Sequence, residues 1–389
     1  MKTLAQAYAE FDLDQLIEQQ LHGSAQHINA FDECCGRYIG QHKTALIWEG
    51  KHGQVEHYTF EQLDLRSAQL ANFFKSQNIR VGDSIAGLLP RTPELLITIL
   101  ATWRIGAIYQ PLFTAFESKA IQHRIETANT QLIVTHAEHL HKLNQLNLDS
   151  ILVVDASNEP NQNLPDFWTT LNCFESVCPV EYRTFEDDFL LMFTSGTTGL
   201  AKSVPVPLKA ILAFKGYLQH AVDLRAEDAF WNLADPGWAY GLYYGITGPL
   251  SMGHRILLDE QPFSVDRAVT LLQKYQINNL TGSPTAFRMF FGFKEKFDAQ
   301  IAQHLRVVSS AGEPLTPEVI HWFKEYLQVD IYDQYGQTEL GMVIGNHHAL
   351  HHEVKIGSAG FAIPGHRFAV LNEQLQELEK GGVGMLAID

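Results

Sequence analysis

The sequence predicts an α/β fold in which two parallel-rich sheets are flanked by helices and followed by the start of a small β-barrel. The main observation is that apolar runs of strand length alternate with helix-like segments, a spacing typical of parallel strands joined by helical crossovers. Hydrophobic residues make up 46% and charged residues 19% of the chain, which is the balance of a globular protein. A length of 389 residues also normally divides into two or more subdomains.

The first half of the chain contains a strand–helix–strand series. Residues 85–89 form an apolar, strand-like run that stops at Pro90. A helix is predicted to begin at Pro93 with Thr92 as its N-cap, because proline suits the first helical turn. The further elements, in order, are a helix at 117–129, strands at 131–135 and 150–155, and a polar surface loop at 156–166.

The second half repeats the alternation and then changes character. The predicted strands are at 189–193, 255–259, 305–310 and 330–335, and the predicted helices are at 207–222, 264–277 and 317–328. After about residue 345 the pattern shifts to short strands separated by Gly and Pro turns. We therefore predict a first α/β subdomain over about residues 1–205, a second over about 206–345, and the start of a β-barrel subdomain over about 346–389.

Charge and cysteine content narrow the functional classes. The 28 basic and 44 acidic residues give a net charge of −16, and the chain has no basic run, which argues against nucleic-acid binding. The four cysteines form no CxxC pair and are too few for a disulfide scaffold. No apolar run is long enough to span a membrane, and the acidic N-terminus is unlike a signal peptide. These features predict a cytoplasmic protein.

The stretch TSGTTGLAK, residues 194–202, is a candidate phosphate-binding loop that follows an apolar strand and ends in Lys202. Its hydroxyl-bearing and glycine residues are Thr194, Ser195, Gly196, Thr197, Thr198 and Gly199. Glycines allow backbone amides to point inward, hydroxyls donate to phosphate oxygens, and the lysine supplies a positive charge. A Walker A loop requires glycine directly before its lysine, where this chain has Ala201. The stretch therefore predicts a different kind of phosphate loop.

This loop resembles that of the adenylate-forming superfamily, which includes acyl-CoA synthetases, luciferases and the adenylation domains of peptide synthetases. The family usually has proline before its lysine, and the change to Ala201 removes a φ restraint but no hydrogen-bond donor. Two further motifs follow in the family's order, SAGEP at 310–314 and DQYGQTELG at 333–341. The resemblance is clear from about residue 60 onward, and residues 1–389 look like the large N-terminal domain of these enzymes.

The resemblance implies a role for each motif. Lys202, Thr338 and Glu339 would be the catalytic residues: Lys202 and its loop would cradle the phosphates, Thr338 would touch phosphate, and Glu339 would hold Mg²⁺. A hard cation on oxygen ligands offsets the repulsion between a carboxylate and a polyphosphate. The residues implied to frame the nucleotide are Gly312, Glu313, Pro314, Asp333, Gln334, Tyr335, Gly336 and Gln337.

The segment at 233–253 resembles the part of acetyl-CoA and medium-chain acyl-CoA synthetases that lines the acyl and pantetheine side. By this resemblance Trp238 would lie where the acyl pocket meets the thiol tunnel, and Ala239, Ala311 and Gly336 would shape the pocket. Acetate-specific relatives place tryptophan at the position of Gly336. Replacing an indole by hydrogen opens room for several methylenes, each contributing about 0.8 kcal/mol when buried. We therefore expect an acid larger than acetate, with medium-chain or branched aliphatic acids ahead of aryl acids, although Tyr240 would refill part of the space.

The implied reaction converts a carboxylic acid and MgATP into acyl-AMP and pyrophosphate, and coenzyme A then displaces AMP. The implied partners are the small-molecule acid, ATP and coenzyme A, for a monomer or homodimer. Two alternatives remain open: an adenylation domain that loads a carrier protein, and a non-catalytic module that binds nucleotide or acyl-AMP.

Relatives continue into a C-terminal lid domain that carries a catalytic lysine. We expect that domain to be absent from this chain and adenylation by the chain alone to be impaired. The histidines at 347, 348, 351 and 352 have spacing that would bind a metal on a helix, but no HExxH pattern or cysteine accompanies them. A structural or surface role is expected for this cluster.

Overall fold

The computed structural model describes residues 1–144, 150–156, 164–194, 200–297 and 299–388, without the side chains of residues 299 and 300. The strands are β1 (Lys2–Thr3), β2 (Thr44–Glu49), β3 (Val55–Thr59), β4 (Ser84–Leu88), β5 (Ile108–Pro111), β6 (Leu132–His136), β7 (Ile151–Val154), β8 (Asp188–Thr194), β9 (Lys202–Pro207), β10 (Phe230–Asn232), β11 (Ile256–Asp259), β12 (Asn279–Gly282), β13 (Val307–Ala311), β14 (Ile331–Gln337), β15 (Gly341–Gly345), β16 (Leu350–His351), β17 (Phe361–Ala362), β18 (Phe368–Leu371) and β19 (Met385–Ile388).

The helices cover the connections between these strands. They are α1 (Leu4–Ala9), α2 (Leu13–Gln20), α3 (Ala30–Cys34), α4 (Phe60–Ser76), α5 (Pro93–Arg104), α6 (Ser118–Ala128), α7 (Phe167–Leu171), α8 (Ala210–His220), α9 (Ala239–Gly241), α10 (Gly248–Ser251), α11 (Val265–Lys274), α12 (Pro284–Gly292), α13 (Ala299–His304) and α14 (Pro317–Tyr326). A π-helical turn at Leu242–Thr247 joins α9 to α10. Short 3₁₀ turns lie at Gly36–Tyr38, Ala137–Leu143 and Lys294–Lys296.

The first large sheet has the strand order β7-β6-β4-β5-β8-β9. Its strands are parallel except for β9, which is antiparallel to β8. Helix α5 begins at Pro93 as predicted, and every one of its residues is buried. It is apolar around most of its circumference because it packs between other elements, among them α3 and α4. Thr92 occupies the N-cap position but makes no side-chain capping bond.

The second large sheet has the strand order β10-β12-β13-β14-β15-β17. The first four strands are parallel, and β15 is antiparallel to both of its neighbours. Two connecting helices begin with serine N-caps that accept backbone hydrogen bonds, Ser264 before α11 and Ser283 before α12. The carboxyl ends of parallel strands meet at one edge of such a sheet, where α/β proteins commonly bind ligands.

Three smaller sheets complete the fold, and two of them join distant parts of the chain. Strand β11 pairs in parallel with β2, which also pairs with β3, and β1 pairs with β16. The largest apolar cluster contains residues from Leu21 to Ile363. The predicted segments 1–205 and 206–345 therefore share a strand pairing and a core, and the proposed boundaries between subdomains remain predictions.

The predicted α/β class is confirmed, and the local expectations match most elements closely. The strand predicted at 330–335 extends to Gln337, and the tail beyond residue 345 forms short strands, ending in the antiparallel β18–β19 pair. Part of the polar loop predicted at 156–166 lies outside the described residues. Within the described residues, no helix is long and apolar enough to cross a membrane.

Candidate active site

The predicted phosphate loop connects two antiparallel strands. Thr194, the last residue of β8, lies directly opposite Lys202, the first residue of β9. Residues 195–199, which include Ser195, Gly196, Thr197, Thr198 and Gly199, lie outside the described residues. Lys202 is exposed, and the Ala201 carbonyl just before it lies 2.8 Å from His123 Nε2. A Walker A loop leads into a helix, so this strand–loop–strand arrangement also argues against a P-loop fold.

A cavity of about 740 Å³ opens at the carboxyl edge of the second large sheet. Four predicted acyl-pocket residues line it together with four residues from the predicted nucleotide and catalytic motifs: Trp238, Ala239, Ala311, Gly336, Gly312, Glu313, Gln337 and Thr338. Pro314, Asp333, Gln334, Tyr335, Glu339, Thr194 and Lys202 are not among its lining residues. The volume is within the usual range for small-molecule sites.

Trp238 lies at the mouth of this cavity. Its side chain is 46% exposed, and its ring packs against Phe113 and Phe116 with centroid distances of 5.5 and 5.6 Å. Phe113 and Phe116 come from the loop after β5 of the first sheet, so this contact joins Trp238 to the first half of the chain. An exposed indole held by two aromatic rings offers a rigid apolar surface to an entering chain.

Three tyrosines form another wall of the cavity: Tyr240, Tyr243 and Tyr244. The π-helical turn carries Tyr243 and Tyr244, and such turns occur frequently at functional sites. The Tyr243 hydroxyl donates to the Thr338 carbonyl at 3.2 Å, and the Tyr244 hydroxyl accepts from the Met342 amide at 2.7 Å. These bonds attach the wall to the β14–β15 strands.

The predicted adenine-side turn Gly312–Glu313–Pro314 is exposed and follows β13 directly. Gly312 has a φ of 107°, a left-handed conformation that favours glycine. The Glu313 carboxylate accepts from the Thr285 hydroxyl at 2.8 Å and from Arg288 at 2.7 Å, which lowers the carboxyl pKa. These bonds hold the turn against helix α12.

The residues of the DQYGQ segment lie in different environments. Asp333 accepts backbone hydrogen bonds from Leu315 and Gln334, and burial raises its pKa. The Gln334 side chain is buried in the core, where it bonds Tyr217 and the Ala221 carbonyl, so a nucleotide contact from Gln334 would have to come from its backbone. Tyr335 is half-buried and its hydroxyl accepts from Gln337 at 2.7 Å.

Thr338 and Glu339 occupy the turn between β14 and β15, and the Glu339 carboxylate is exposed. Among the described residues no group of three or more His, Cys, Asp or Glu side chains is arranged to hold a metal ion. Mg²⁺ commonly binds through one or two carboxylates together with substrate phosphates and water. A single accessible carboxylate beside a threonine fits that mode of binding.

Comparison with known proteins decides the family. The family model described as AMP-binding enzyme matches residues 33–389. The chain belongs to this family. Acetyl-coenzyme A synthetase from Bacillus subtilis (strain 168) is 31% identical over 397 residues, covering 100% of this chain and 69% of the relative. Acetyl-coenzyme A synthetase from Rubrobacter xylanophilus is 30% identical over 400 residues, covering 93% of this chain and 61% of the relative.

A solved structure of this family agrees with the fold. The crystal structure of Brucella canis acyl-CoA synthetase superimposes with a TM-score of 0.94 at 45% identity, covering 100% of this chain and 72% of that one. The family predicted from the sequence is confirmed: these relatives are acetyl-coenzyme A synthetases and an acyl-CoA synthetase. The chain spans 61–69% of the length of the two acetyl-coenzyme A synthetases named above.

In this member of the AMP-binding family, Gly336 does more than leave space in the cavity. A Cβ atom on Gly336 would lie 2.3 Å from the Gly341 carbonyl oxygen and 2.6 Å from Met342 Sδ. The register of β14 against β15 shifts between Tyr335 and Gly336, which brings the two strands this close. An indole at position 336 would therefore require β15 to move as well as filling the cavity.

Gly336→Ala is expected to destabilise the protein by roughly 1–3 kcal/mol, because the new methyl group meets backbone atoms that cannot rotate away. Urea unfolding followed by circular dichroism measures the change. Gly216→Ala in helix α8 is the matched control, because a Cβ atom at Gly216 meets no heavy atom within 4 Å. This substitution should raise the free energy of unfolding by about 0.5–1 kcal/mol, since alanine favours a helix over glycine. Equal stability of Gly336→Ala and the unmodified chain would contradict the close approach.

Sequence reasoning missed one wall of the cavity. The cavity is also lined by Phe263, by the N-cap Ser283 of helix α12 and by three residues of that helix, Thr285, Ala286 and Met289. The available signal was the Ser-Pro pair at 283–284 directly after a buried strand, which marks both a helix start and the carboxyl edge of a parallel sheet. Asp235 was also missed. It lines the cavity, lies 3.7 Å from Arg91, and has a pKa raised by burial.

Proposed function

We propose that the protein to which this chain belongs activates a carboxylic acid larger than acetate, such as a medium-chain or branched aliphatic acid, as an acyl-adenylate and then as an acyl-CoA. The supporting observation is one cavity whose lining runs from Ala239 and Ala311 to the Gly312–Glu313 turn and Thr338. An acyl chain and a nucleoside phosphate would then meet at the carboxyl edge of the second sheet. We also propose the cytoplasm as its location and the subdomain division given above.

In the first step a carboxylate oxygen attacks the α-phosphorus of ATP and the bond to pyrophosphate breaks. Lys202 and the loop after β8 would bind the phosphates through charge-assisted hydrogen bonds. Thr338 would donate its hydroxyl to an α-phosphate oxygen, and Glu339 would hold Mg²⁺, which supplies positive charge to the departing pyrophosphate when bound. The apolar walls would exclude water from the acyl-adenylate.

In the second step the thiol of coenzyme A attacks the acyl carbonyl and AMP departs. Trp238 would guide the pantetheine arm, because its exposed ring lines the cavity and is packed against Phe113 and Phe116. Loading of a carrier protein would use the same entrance. No contact in the described residues favours a carrier over coenzyme A.

Titration calorimetry with octanoyl-sulfamoyl adenosine, a non-hydrolysable acyl-adenylate analogue, tests the proposal on the chain itself. Ala239→Trp should weaken octanoyl binding by about tenfold or more, because the indole would occupy volume that several buried methylenes use. The acetyl analogue serves as the control ligand, and its affinity should change less than threefold. Equal losses for the two analogues, or no binding of either by the unmodified chain, would contradict the proposed pocket.

A further inference from the structure

The charged side chains on the wall of the cavity are both acidic. Among the described residues that line it, Asp235 and Glu313 carry a charge, and no lysine, arginine or histidine is present. Glu313 lies on the turn predicted to face the nucleotide, where Arg288 pairs with it at 2.7 Å. Asp235 belongs instead to the segment that carries Trp238 and Ala239, on the predicted acyl side. The acyl side of the cavity therefore presents a negative charge.

The Asp235 carboxylate is held by its own turn and by one arginine. Its Oδ1 accepts from the Gly237 amide at 2.8 Å, and its backbone carbonyl accepts from the Trp238 amide at 3.0 Å. Its Oδ2 lies 3.7 Å from Nε of Arg91, whose Nη2 donates to the Gln261 carbonyl at 2.7 Å. The Asp235 side chain is 31% exposed and lines the cavity, so a ligand there can meet it.

Arg91 favours the ionised form of this carboxylate and is itself paired by it. Burial raises the pKa of Asp235, and the Arg91 charge and the Gly237 amide act in the opposite direction. Among the described residues, Arg91 forms an ion pair with Asp235 and with no other carboxylate, and it does not line the cavity. A second anion that enters the cavity therefore meets an ionised carboxylate, whereas the neighbouring arginine is already paired.

We propose that Asp235 is a specificity-determining residue that selects acids whose chain carries no second negative charge. The proposal rests on the proposed adenylate-forming function and adds the class of acid. The distal carboxylate of a dicarboxylic acid would be repelled by Asp235 and would lose its hydration without gaining a counter-ion. A primary amide has nearly the same shape as a carboxylate and avoids the repulsion. Binding sites commonly reject a competing ligand through such a repulsive element.

Calorimetry of the chain with two sets of acyl-sulfamoyl adenosines tests the proposal. One set ends in a carboxylate and the other in a primary amide, at each chain length from five to eight carbons, with the octanoyl compound as reference. At one or more lengths we expect the amide-ended analogue to bind about tenfold more tightly than its carboxylate-ended counterpart. Asp235→Asn should reduce that ratio to less than threefold, because it removes the charge and keeps the oxygen that accepts from Gly237.

Two further variants make the test specific to the charge at this position. Asp235→Ser keeps an oxygen that can accept from the Gly237 amide in a smaller side chain, and it should reduce the ratio in the same way. Glu313→Gln is the matched control, because it removes the other cavity carboxylate by the same kind of substitution. The ratio in this control should stay near tenfold, since Glu313 lies on the predicted nucleotide side.

The octanoyl compound separates failure of this inference from failure of the proposed function. If it binds while the amide-ended and carboxylate-ended analogues bind equally at every length, the inference is overturned and the adenylate site stands. A ratio that Asp235→Asn and Asp235→Ser leave unchanged would overturn it as well. Failure of every analogue to bind, the octanoyl compound included, would overturn the proposed function and this inference with it.

Discussion

Lys202→Ala is expected to weaken MgATP binding by between about 10-fold and 100-fold. Hydrogen bonds to charged groups contribute roughly 1.5–3 kcal/mol, and Lys202 is the cation at the end of the proposed phosphate loop. Lys202 lies directly opposite Thr194, the residue at which the predicted loop begins, so its ammonium group would lie close to a phosphate bound by that loop. Titration calorimetry with MgATP measures the loss directly.

The fold should tolerate this substitution, since the Lys202 side chain is exposed. Lys209→Ala is the matched control, because Lys209 is an exposed lysine seven positions later that pairs with Glu186 outside the cavity. Lys202→Arg should retain part of the affinity, because it keeps the charge but changes the shape of the donor. Equal MgATP affinities for Lys202→Ala and the unmodified chain would remove Lys202 from the proposed mechanism.

Acidification from pH 7.5 to pH 5 is expected to lower the free energy of unfolding by about 2 kcal/mol for each of three buried or half-buried histidines. Burial lowers the pKa of His139, His347 and His348 to about 4. The unfolded chain binds protons at these groups near pH 6.5 and the folded chain does not, so stability falls as pH decreases from about 6.5 to about 4. Well above pH 6.5 these histidines are neutral in both the folded and the unfolded chain, so their contribution to the free energy of unfolding no longer changes with pH.

The geometry of the histidine segment explains the low pKa values of His347 and His348. His347 is 2% exposed, its Nε2 lies 3.2 Å from the Ala362 carbonyl, and its Nδ1 has no hydrogen-bond partner among the described residues. His348 stacks on Tyr332 at 4.1 Å, with Nε2 3.0 Å from the Val308 carbonyl. A carbonyl only accepts, so each ring already carries its proton on Nε2, and a second proton would bring an unpaired charge into the core.

Urea unfolding at several pH values between 7.5 and 5 measures the effect. His348→Gln should reduce the pH dependence, and His351→Gln should leave it unchanged because His351 is exposed. A free energy of unfolding that is the same at pH 7.5 and pH 5 would contradict the buried neutral histidines. In the segment that the sequence offers as a metal-binding pattern, His347 and His348 are packed into the fold, His351 is exposed, and no helix is present.

Local patterns predicted the parts of the fold that depend on neighbouring residues. The apolar run before Pro90, the proline at position 93 and the strand before Thr194 each correspond to an observed element. These signals are local because helix starts and strand runs are determined by residues a few positions apart. The motif residues of the acyl pocket also converge, since Ala311 and Gly336 lie at the carboxyl ends of β13 and β14 at one edge of the sheet.

Contacts between residues that are far apart in the sequence could not be predicted from such local patterns. Tyr217 bonds Gln334 across 117 positions, and that bond holds the Gln334 side chain in the core. The close approach of Gly341 to Gly336 depends on a register shift that no single-residue preference indicates. The pairing of β11 with β2 likewise joins segments that the alternation of elements assigns to separate subdomains. Tertiary packing determines each of these features.

A crystal structure of the chain bound to octanoyl-sulfamoyl adenosine tests the central claim most directly, namely that the cavity at the edge of the second sheet is the acyl end of an adenylate site. The account predicts that the octanoyl chain contacts Ala239 and Ala311, and that the adenosine lies against the Gly312–Pro314 turn. An octanoyl chain directed into solvent, or a ligand bound away from this cavity, would contradict it.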